Sequence, residues 1–247
     1  MVLTEWTALE RTLQSCTECQ RLRSHCEKIA KIKRKSYANE TYWGKPIQGF
    51  GDPKGRLMMI GLAPAAHGAN RTGRIFTGDR SGDWLYRALY ETKFANQPHS
   101  THRQDGLQLT DAYVTCVVKC APPENRPTPI EQDHCLRYLQ TELRLLPQTQ
   151  VWIALGRIAY DQLWPLLPTL GSTQKPSQGS NRGTFKKPPF KHGLEIPLDS
   201  QKFLLLSYHP SQQNTFTGRL TRPMFLSVFE RAREILDSAD LSQSEHR

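Results

Sequence analysis

The sequence predicts an α/β fold of three layers, α/β/α, with a four-stranded parallel sheet. Four short runs rich in β-branched and aliphatic residues lack the apolar and polar alternation of a half-exposed strand, which indicates strands covered on both faces. Helical patterns separate these runs, and a repeating order of strand and helix is typical of a parallel sheet. The four predicted strands are Arg56–Leu62, Ala112–Val118, Gln150–Leu155 and Lys202–Tyr208.

Capping residues mark where two of the helices begin. Ser81 precedes an apolar helical pattern, while Thr128 is followed by Pro129 and Glu131 in the arrangement of a capping box with proline in the first turn. An amphipathic pattern over residues 1–14 predicts a further helix before the first strand. Both capped helices follow loops that are candidates for the functional site.

Length and composition predict one domain. A chain of 247 residues with 37% hydrophobic residues is long enough for a single core, and we assign residues 1–237 to it. Residues 173–193 contain basic but no acidic residues among many Gly, Ser and Pro, which predicts a basic surface loop. This loop is either a solvated insertion or an arm that contacts phosphates. Residues 238–247 resemble a polar tail.

The charge balance favours a polyanionic partner. The formal net charge is +10, from 33 basic and 23 acidic residues, and nucleic acid is the leading class of partner. The N-terminus lacks the charged and then apolar layout of a secretory signal, and no apolar run approaches the roughly 20 residues that span a bilayer. We therefore expect a soluble cytoplasmic protein without a membrane partner.

Four of the six cysteines form two pairs that favour a metal site. One pair has C-x2-C spacing near the N-terminus and the other lies around the helix after Thr128; thiolates in such pairs bind zinc or iron-sulfur cores, and spacing does not separate the two. Simple core filling is the alternative. Cys26 and Cys116 are expected to be bystanders. The four candidate ligands are Cys16, Cys19, Cys120 and Cys135.

Two loops that follow strands are the candidate site. The first is Gly61–Asp79, GLAPAAHGANRTGRIFTGD, whose small residues allow a ligand to approach the backbone amides closely. The second is Ser207–Thr221, SYHPSQQNTFTGRLT, which places His209 at the carboxyl end of a strand, where open α/β sheets bind ligands. We expect both loops to face one cleft. The small residues singled out for substrate binding are Gly61, Ala63 and Ala65.

These segments resemble the motifs of the family 5, or type B, uracil-DNA glycosylases. Gly61–Asp79 is similar to their first motif and 209–221 to their second, while Val117–Thr128 is similar to a segment shared by families 4 and 5. The resemblance extends from Cys16 to Phe229. It implies a uracil-DNA glycosylase fold with a four-stranded parallel sheet, a structural 4Fe-4S cluster on the four paired cysteines, and DNA containing uracil or other deaminated bases as the partner.

Within this family framework, each step of base removal has a candidate residue. An extruded base needs a stacking surface, which Phe76 offers, and a partner for the N3-H and O4 edge of uracil, which the Asn125 amide matches. His209 is placed to donate a hydrogen bond to uracil O2 as negative charge develops there. Asn214, five residues later, is expected to shape the loop or contact the DNA backbone.

The position of the carboxylate departs from related families. Family 4 enzymes have glutamate where this chain has Leu62, so Asp79 is the candidate for stabilising positive charge on the sugar and orienting water, with helix capping as its alternative role. The resemblance and the small loop residues imply that hypoxanthine and other deaminated bases are also removed. Gln213 occupies the place of a leucine wedge in many relatives, and either Gln213 or Phe216 fills the gap left by the base.

Further residues are expected to contact DNA. His67 either touches the extruded nucleotide or lies on the surface, and three arginines are candidate phosphate contacts. The function expected overall is a monomeric, nucleoid-associated DNA glycosylase that starts base excision repair by leaving an abasic site. A noncatalytic iron-sulfur protein that reads damaged DNA is the alternative. The three arginines are Arg71, Arg74 and Arg219.

Overall fold

The computed structural model describes residues 2–170 and 187–244, so residues 173–186 of the predicted basic loop lie outside the described part. Short 3-10 helices occur at Lys35–Tyr37, Pro123–Asn125 and Trp164–Leu170. The α-helices of the described residues are α1 (Val2–Gln14), α2 (Gln20–Ile32), α3 (Ala69–Thr72), α4 (Arg80–Glu91), α5 (Pro129–Leu145), α6 (Arg157–Leu163), α7 (Gln212–Phe216) and α8 (Arg222–Ser244). None of them is long and apolar enough to cross a membrane.

A mixed sheet forms the centre of the fold, in the strand order β1-β3-β2-β4-β6-β5. All four predicted strands are present within a residue or two, and they pair in parallel as β3-β2-β4-β6. The described strands are β1 (Phe50–Gly51), β2 (Leu57–Gly61), β3 (Ala112–Cys116), β4 (Val151–Leu155), β5 (Glu195–Pro197) and β6 (Phe203–Ser207).

The predicted count of four strands is wrong, because the described sheet has six. The two additional strands, β1 and β5, lie at the edges and pair antiparallel with β3 and β6. They have two and three residues, too few to show a hydrophobic period, and they are less buried than the central strands. Short edge strands of this kind also limit unwanted pairing with other chains.

The three-layer arrangement is confirmed by two hydrophobic cores, one on each face of the sheet. Successive side chains of β2 alternate between them, with Met59 in one core and Met58 in the other. Leu85 of α4 and Phe229 of α8 belong to the first core, and Leu139 of α5 belongs to the second. The central strands are therefore covered on both sides, which explains their continuous apolar sequences.

The two predicted helix starts differ in outcome. Thr128 caps α5 in a full capping box, since its hydroxyl accepts a hydrogen bond from the Glu131 amide at 3.3 Å and the Glu131 carboxylate accepts one from the Thr128 amide at 2.7 Å. The prediction of Ser81 as a cap is wrong. Asp79 caps α4 instead, because its Oδ1 accepts a hydrogen bond from the Gly82 amide at 3.0 Å.

The C-terminal helix extends beyond the predicted boundary at residue 238. Helix α8 continues to Ser244, so residues 238–244 are helical rather than a tail, and residues 245–247 lie outside the described part. Asp240 forms an ion pair with Arg56 at 2.6 Å, and Arg56 also pairs with Asp111 at 2.7 Å. This contact joins the end of α8 to the residue that precedes β2.

Candidate active site at the carboxyl edge of the sheet

A cleft of about 1010 Å³ lies where the loops after the central strands meet. The loops that follow β2, β4 and β6 contribute to its walls, together with the turn at Pro123–Asn125. This is the edge at which the carboxyl ends of the parallel strands converge, the usual place for ligands in open α/β sheets. The structure brings seven predicted site residues together here: Ala63, Ala65, Phe76, Asp79, Asn125, His209 and Asn214.

Gly61, the eighth, is buried in β2 and does not line the cleft, so its prediction as a direct binding residue is not supported. A Cβ atom at this position would lie 2.7 Å from the Phe76 ring and 3.0 Å from the sulfur of Cys116. Glycine is therefore needed here for packing, because it leaves the space that the Phe76 ring occupies.

The Phe76 ring forms a wall of the cleft beside His209. The two ring centroids lie 5.9 Å apart with an interplanar angle of 31°. Phe76 has a φ of 51°, a left-handed conformation that is unusual for a bulky residue, and the preceding carbonyl of Ile75 is held by the Tyr86 hydroxyl at 2.8 Å. The backbone strain is thus maintained by buried contacts on either side of a cleft residue.

The backbone amides of Ala63 and Ala65 are available to a ligand. Both residues line the cleft, and within residues 2–170 and 187–244 neither amide donates a hydrogen bond. The loop is fixed by other contacts, since the Leu62 carbonyl accepts from the Val118 amide at 2.9 Å and the Ala65 carbonyl accepts from the Asn70 amide at 3.0 Å. Two donors therefore stand in a rigid loop without a partner in the described chain.

His209 follows β6 directly, and burial lowers the pKa of its imidazole to about 4. The ring is neutral at pH 7 as a result. No described residue hydrogen bonds to either ring nitrogen, although part of the residue opens on the cleft. Gly156, with a φ of 100°, brings the loop after β4 against the His209 side chain, and a Cβ there would lie 3.4 Å from the histidine Cβ.

Asn214 positions the histidine loop. Its Nδ2 donates a hydrogen bond to the His209 carbonyl at 2.9 Å, and the backbone carbonyl of Asn214 accepts one from the Leu220 amide at 2.9 Å. The amide of Asn214 also donates to Ser211, which caps α7. These contacts agree with the predicted loop-shaping role.

The side chain of Asn125 is exposed in the cleft wall. Asn125 and Glu124 both adopt left-handed backbone conformations, with φ of 57° and 55°, and asparagine tolerates this conformation better than most residues. The backbone N–H of Asn125 donates a hydrogen bond to the Pro122 carbonyl at 3.2 Å, while the Asn125 side chain bonds to no described residue. The carboxamide is therefore free to bind a ligand.

Asp79 combines a capping role with a place in the cleft. Burial raises the pKa of its carboxyl group, and the hydrogen bonds from the Gly82 and Ser81 amides act in the opposite direction. Gly68 packs closely on the other oxygen, since a Cβ there would lie 2.0 Å from Oδ2. The capping alternative is thus observed, and the cleft position leaves the carboxylate within the site.

Two of the arginines expected to contact phosphates are structural. Arg71 is buried and pairs with Glu40 at 2.5 Å, while Arg74 is buried and pairs with Asp105 at 2.7 Å. Those two interpretations are wrong, because both guanidinium groups are buried and each is paired with a carboxylate. His67 does not line the cleft; its Nδ1 is 3.0 Å from the Tyr42 hydroxyl.

Arg219 is exposed in the cleft wall, as expected, and its guanidinium lies 4.6 Å from the Tyr208 ring centroid. The sequence analysis missed Tyr208, Arg80 and the loop after β4, which includes Ile158. The order of strand, glycine and helix at Gly156 marks that loop as another carboxyl-end loop, and this signal would have found it.

The four paired cysteines lie in or against the second hydrophobic core. Burial raises the pKa of the Cys135 thiol to about 11, and the nearby Cys19 and Cys16 thiols raise it by smaller amounts. The Cys135 thiol in turn raises the pKa of Cys120. Sulfur atoms here accept hydrogen bonds: the Lys119 amide donates to Cys135 at 3.2 Å. Cys135 is therefore near enough to each of the other three thiols to interact with it electrostatically.

No three His, Cys, Asp or Glu side chains within residues 2–170 and 187–244 lie close enough to hold a single metal ion. Cys26, expected to be a bystander, donates a hydrogen bond to the Ala121 carbonyl at 3.6 Å and lies close enough to Cys120 to raise the pKa of the Cys120 thiol. A cluster of iron and sulfide is larger than one ion and needs ligands that stand further apart. The candidate ligands are thiols, which both zinc and iron-sulfur clusters bind by preference.

Arg21 connects the cysteine region to the cleft. It lies on α2, two residues after Cys19, and its guanidinium forms an ion pair with Glu131 of the α5 capping box at 2.7 Å. The same side chain donates to the Arg126 carbonyl at 3.1 Å, next to Asn125. Helix α2 therefore supports the turn that carries Asn125.

A family model described as the uracil DNA glycosylase superfamily matches residues 48–233 of this chain. The chain belongs to the uracil DNA glycosylase superfamily. The superfamily match includes every cleft residue described above and begins after Cys16 and Cys19. The two N-terminal cysteines thus lie outside the matched segment.

Three curated relatives within this superfamily are each described as a type-5 uracil-DNA glycosylase. The protein of Thermus thermophilus is 45% identical over 228 residues, which cover 92% of this chain and 97% of the relative. The Mycobacterium bovis protein is 43% identical over 92% of this chain and 80% of its own length. The Pyrobaculum aerophilum protein is 40% identical over 89% of this chain and 88% of its own length. The chain therefore belongs to the type-5 group.

Proposed function

We propose that this protein is a monofunctional DNA glycosylase that hydrolyses the N-glycosidic bond of uracil in DNA and leaves an abasic site. The observation that carries the proposal is the neutral, unpartnered imidazole of His209 beside the Phe76 ring in the cleft. The type-5 relatives, named for uracil-DNA glycosylase activity, support the same reaction. The cleft volume of about 1010 Å³ is ample for an extruded nucleotide.

His209 and the loop after β2 stabilise the departing base. As the bond to the sugar lengthens, negative charge develops on uracil O2, and a neutral imidazole donates a hydrogen bond to that oxygen. The free amides of Ala63 and Ala65 offer two further donors. These interactions are stronger in the transition state than with the intact nucleotide, so they lower the barrier.

Phe76 and Asn125 select the base. The Phe76 ring provides a stacking surface, and the free carboxamide of Asn125 has one donor and one acceptor, which match O4 and N3-H of uracil. Loss of a buried polar pair costs more than loss of an apolar contact, so the carboxamide contributes more to discrimination than the ring does.

Asp79 stabilises the positive charge that develops on the sugar and orients the attacking water. Leu62 lines the cleft and brings no charge, so Asp79 performs this work without help from that position. The small residues of the loop leave room for larger bases, and we extend the proposal to hypoxanthine and other deaminated bases. A panel of duplexes with uracil, hypoxanthine or xanthine, assayed for strand breaks in alkali, measures this breadth.

The four paired cysteines hold a 4Fe-4S cluster with a structural role. The proposal is supported by four interacting thiols, by an N–H···S bond from Lys119 to Cys135, and by the thiolate preference of iron. When bound, the group would cross-link the segment between α1 and α2 to the loop after β3 and to α5, and the reaction at the cleft uses only the side chains described above. The ligands are Cys16, Cys19, Cys120 and Cys135.

The proposed partner is DNA, and we place the protein at the nucleoid as a monomer. The net charge of +10 favours association with the phosphate backbone. Arg219 and Arg80 are exposed in the cleft wall and provide local contacts to phosphates. Gel filtration with light scattering measures the oligomeric state, and salt dependence of DNA binding measures the phosphate contribution.

The test of the proposed function is release of uracil by the purified protein. We expect wild-type protein to convert uracil in an oligonucleotide to an abasic site, and His209→Ala to lower the rate by at least about 100-fold. His102→Ala, a change at an exposed histidine outside the cleft, is the control and should keep the wild-type rate. Binding of uracil-DNA without any abasic product would support the noncatalytic reader instead.

A further inference from the structure

Phe216 is an exposed aromatic residue at the rim of the cleft. It ends α7, and 66% of its surface is exposed. Three residues of the same short helix, Gln212, Gln213 and Asn214, line the cleft, so the Phe216 ring stands beside its mouth. A single exposed apolar residue needs no explanation by itself, but this ring has a specific neighbour.

That neighbour is Arg80, the first residue of α4. Its guanidinium lies 4.3 Å from the centroid of the Phe216 ring, and Arg80 itself lines the cleft. None of the acidic side chains in the described ranges, 2–170 and 187–244, forms an ion pair with Arg80. The contact therefore joins the loop after β2 to the loop after β6 and leaves one positive charge unneutralised.

An enzyme that acts on a base inside a duplex must extrude the nucleotide, which leaves a gap in the base stack. Apolar side chains at the rim of such a site fill the gap, and an aromatic ring stacks well on the neighbouring bases. Extrusion also moves the flanking phosphates, which an arginine can bind. A ring and an unpaired guanidinium side by side meet both requirements.

We propose that Phe216 enters the base stack of duplex DNA when the target nucleotide is extruded, while Arg80 binds a phosphate beside the gap. This inference rests on the proposed glycosylase function. Gln213 is the competing candidate, since it is exposed and lines the cleft. Its amide loses hydrogen bonds with water when it stacks, whereas the Phe216 ring loses none, so the ring is favoured.

The role predicts a difference between two substrates. Single-stranded DNA has no stack to fill, so the contribution of Phe216 should appear only in the duplex. We expect Phe216→Ala to lower the rate of uracil release from a duplex by about tenfold, with a change of less than about twofold for the same strand alone. Phe216→Trp should restore the duplex rate because it restores a stacking surface.

Two controls separate this effect from folding. Ile32→Ala removes a large apolar side chain that is 67% exposed on α2, outside the cleft, and should leave both rates unchanged. Phe216→Ala should keep the wild-type melting temperature because the ring contributes little to the core. A 2-aminopurine base next to the uracil should brighten less with Phe216→Ala than with wild-type protein, since fewer target bases are extruded.

Three results would overturn the inference. One is an equal loss of rate on both substrates, which would indicate a general role in the cleft. Another is no loss on either substrate. The third is a duplex-specific loss with Gln213→Ala that exceeds the loss with Phe216→Ala. Failure of the wild-type protein to release uracil from either substrate would contradict the proposed function itself and is therefore distinguishable.

Discussion

At His209, burial favours the protonation state that the proposed function needs. The environment that lowers its pKa to about 4 also keeps the imidazole neutral, which suits a hydrogen-bond donor better than a general acid. The motif located this histidine from the sequence alone. Its protonation state depends on packing around the ring, including the close approach of the loop at Gly156, and no local sequence signal encodes that packing.

The same shift predicts a pH dependence of stability. The His209 pKa is about 4 in the folded protein and near 6.5 when unfolded, so the unfolded state binds more protons between these values. Stability should therefore fall as pH is lowered from about 6.5 towards 4. Urea midpoints of wild-type protein and His209→Gln at pH 7 and pH 5 measure this: the variant should lose less stability. Equal losses would show that His209 does not titrate differently on folding.

Asp79 has two roles that substitution can separate. Asparagine also caps helices, so Asp79→Asn should leave stability nearly unchanged, whereas Asp79→Ala should cost about 1 kcal/mol. If the charge acts on the sugar as proposed, both variants should release uracil more slowly, by on the order of 100-fold. Full activity in Asp79→Asn would restrict this residue to capping.

Sequence reasoning was least successful at the arginines. Arg71 and Arg74 lie in a polar, turn-rich loop, which suggested exposed cations. Their partners, Glu40 and Asp105, are 31 residues away in the chain, in opposite directions, so the pairing of both buried arginines follows only from the tertiary fold. The cleft residues of the two motifs were easier to predict from the sequence, because a residue that directly follows a parallel strand lies at the carboxyl edge of the sheet.

Among the elements, the central strands were predictable and the edge strands were not. The continuous apolar runs of β2, β3, β4 and β6 reflect burial on two faces, which is a local property of sequence. Strands β1 and β5 exist because β3 and β6 offer them unpaired backbone groups. Such pairing depends on a neighbour rather than on composition.

The capping box of α5 gives a prediction at the scale of one element. Thr128→Ala removes the hydroxyl that accepts from the Glu131 amide and should lower the free energy of unfolding by about 1 kcal/mol. Thr141→Ala, in the middle of the same helix, is the matched control, and it should be neutral or slightly stabilising because alanine favours helix. Denaturant unfolding measures both. Equal changes in the free energy of unfolding would show that the Thr128 cap does not stabilise the helix.

For the whole molecule, the cysteine region is the main unresolved prediction of the sequence. C-x2-C spacing located the thiols but did not distinguish zinc from a cluster. The structure adds that the Cys135 thiol lies near enough to Cys16, Cys19 and Cys120 to interact with them electrostatically. The basic loop remains a prediction from composition, because residues 173–186 lie outside the described part.

Purified protein should contain about four iron and four sulfide ions per chain if the cluster is present. Cys135→Ser should lose the iron and melt at a lower temperature, because the links between α1, α2 and α5 are removed. Cys116→Ala, at a thiol buried in β3, is the control and should retain the iron. Iron and sulfide analysis with thermal unfolding measures both variants. One zinc ion per wild-type chain would contradict the proposal.

The position of Arg21 has a consequence for how selectivity evolves. Its guanidinium contacts both the Glu131 carboxylate and the Arg126 carbonyl, so a residue in the N-terminal helices supports the turn before α5. If Asn125 selects the base as proposed, substitution of Arg21 should alter the preference among bases without touching the nucleotide. Residue 21 precedes the superfamily match, so this effect on the site would arise outside the matched segment.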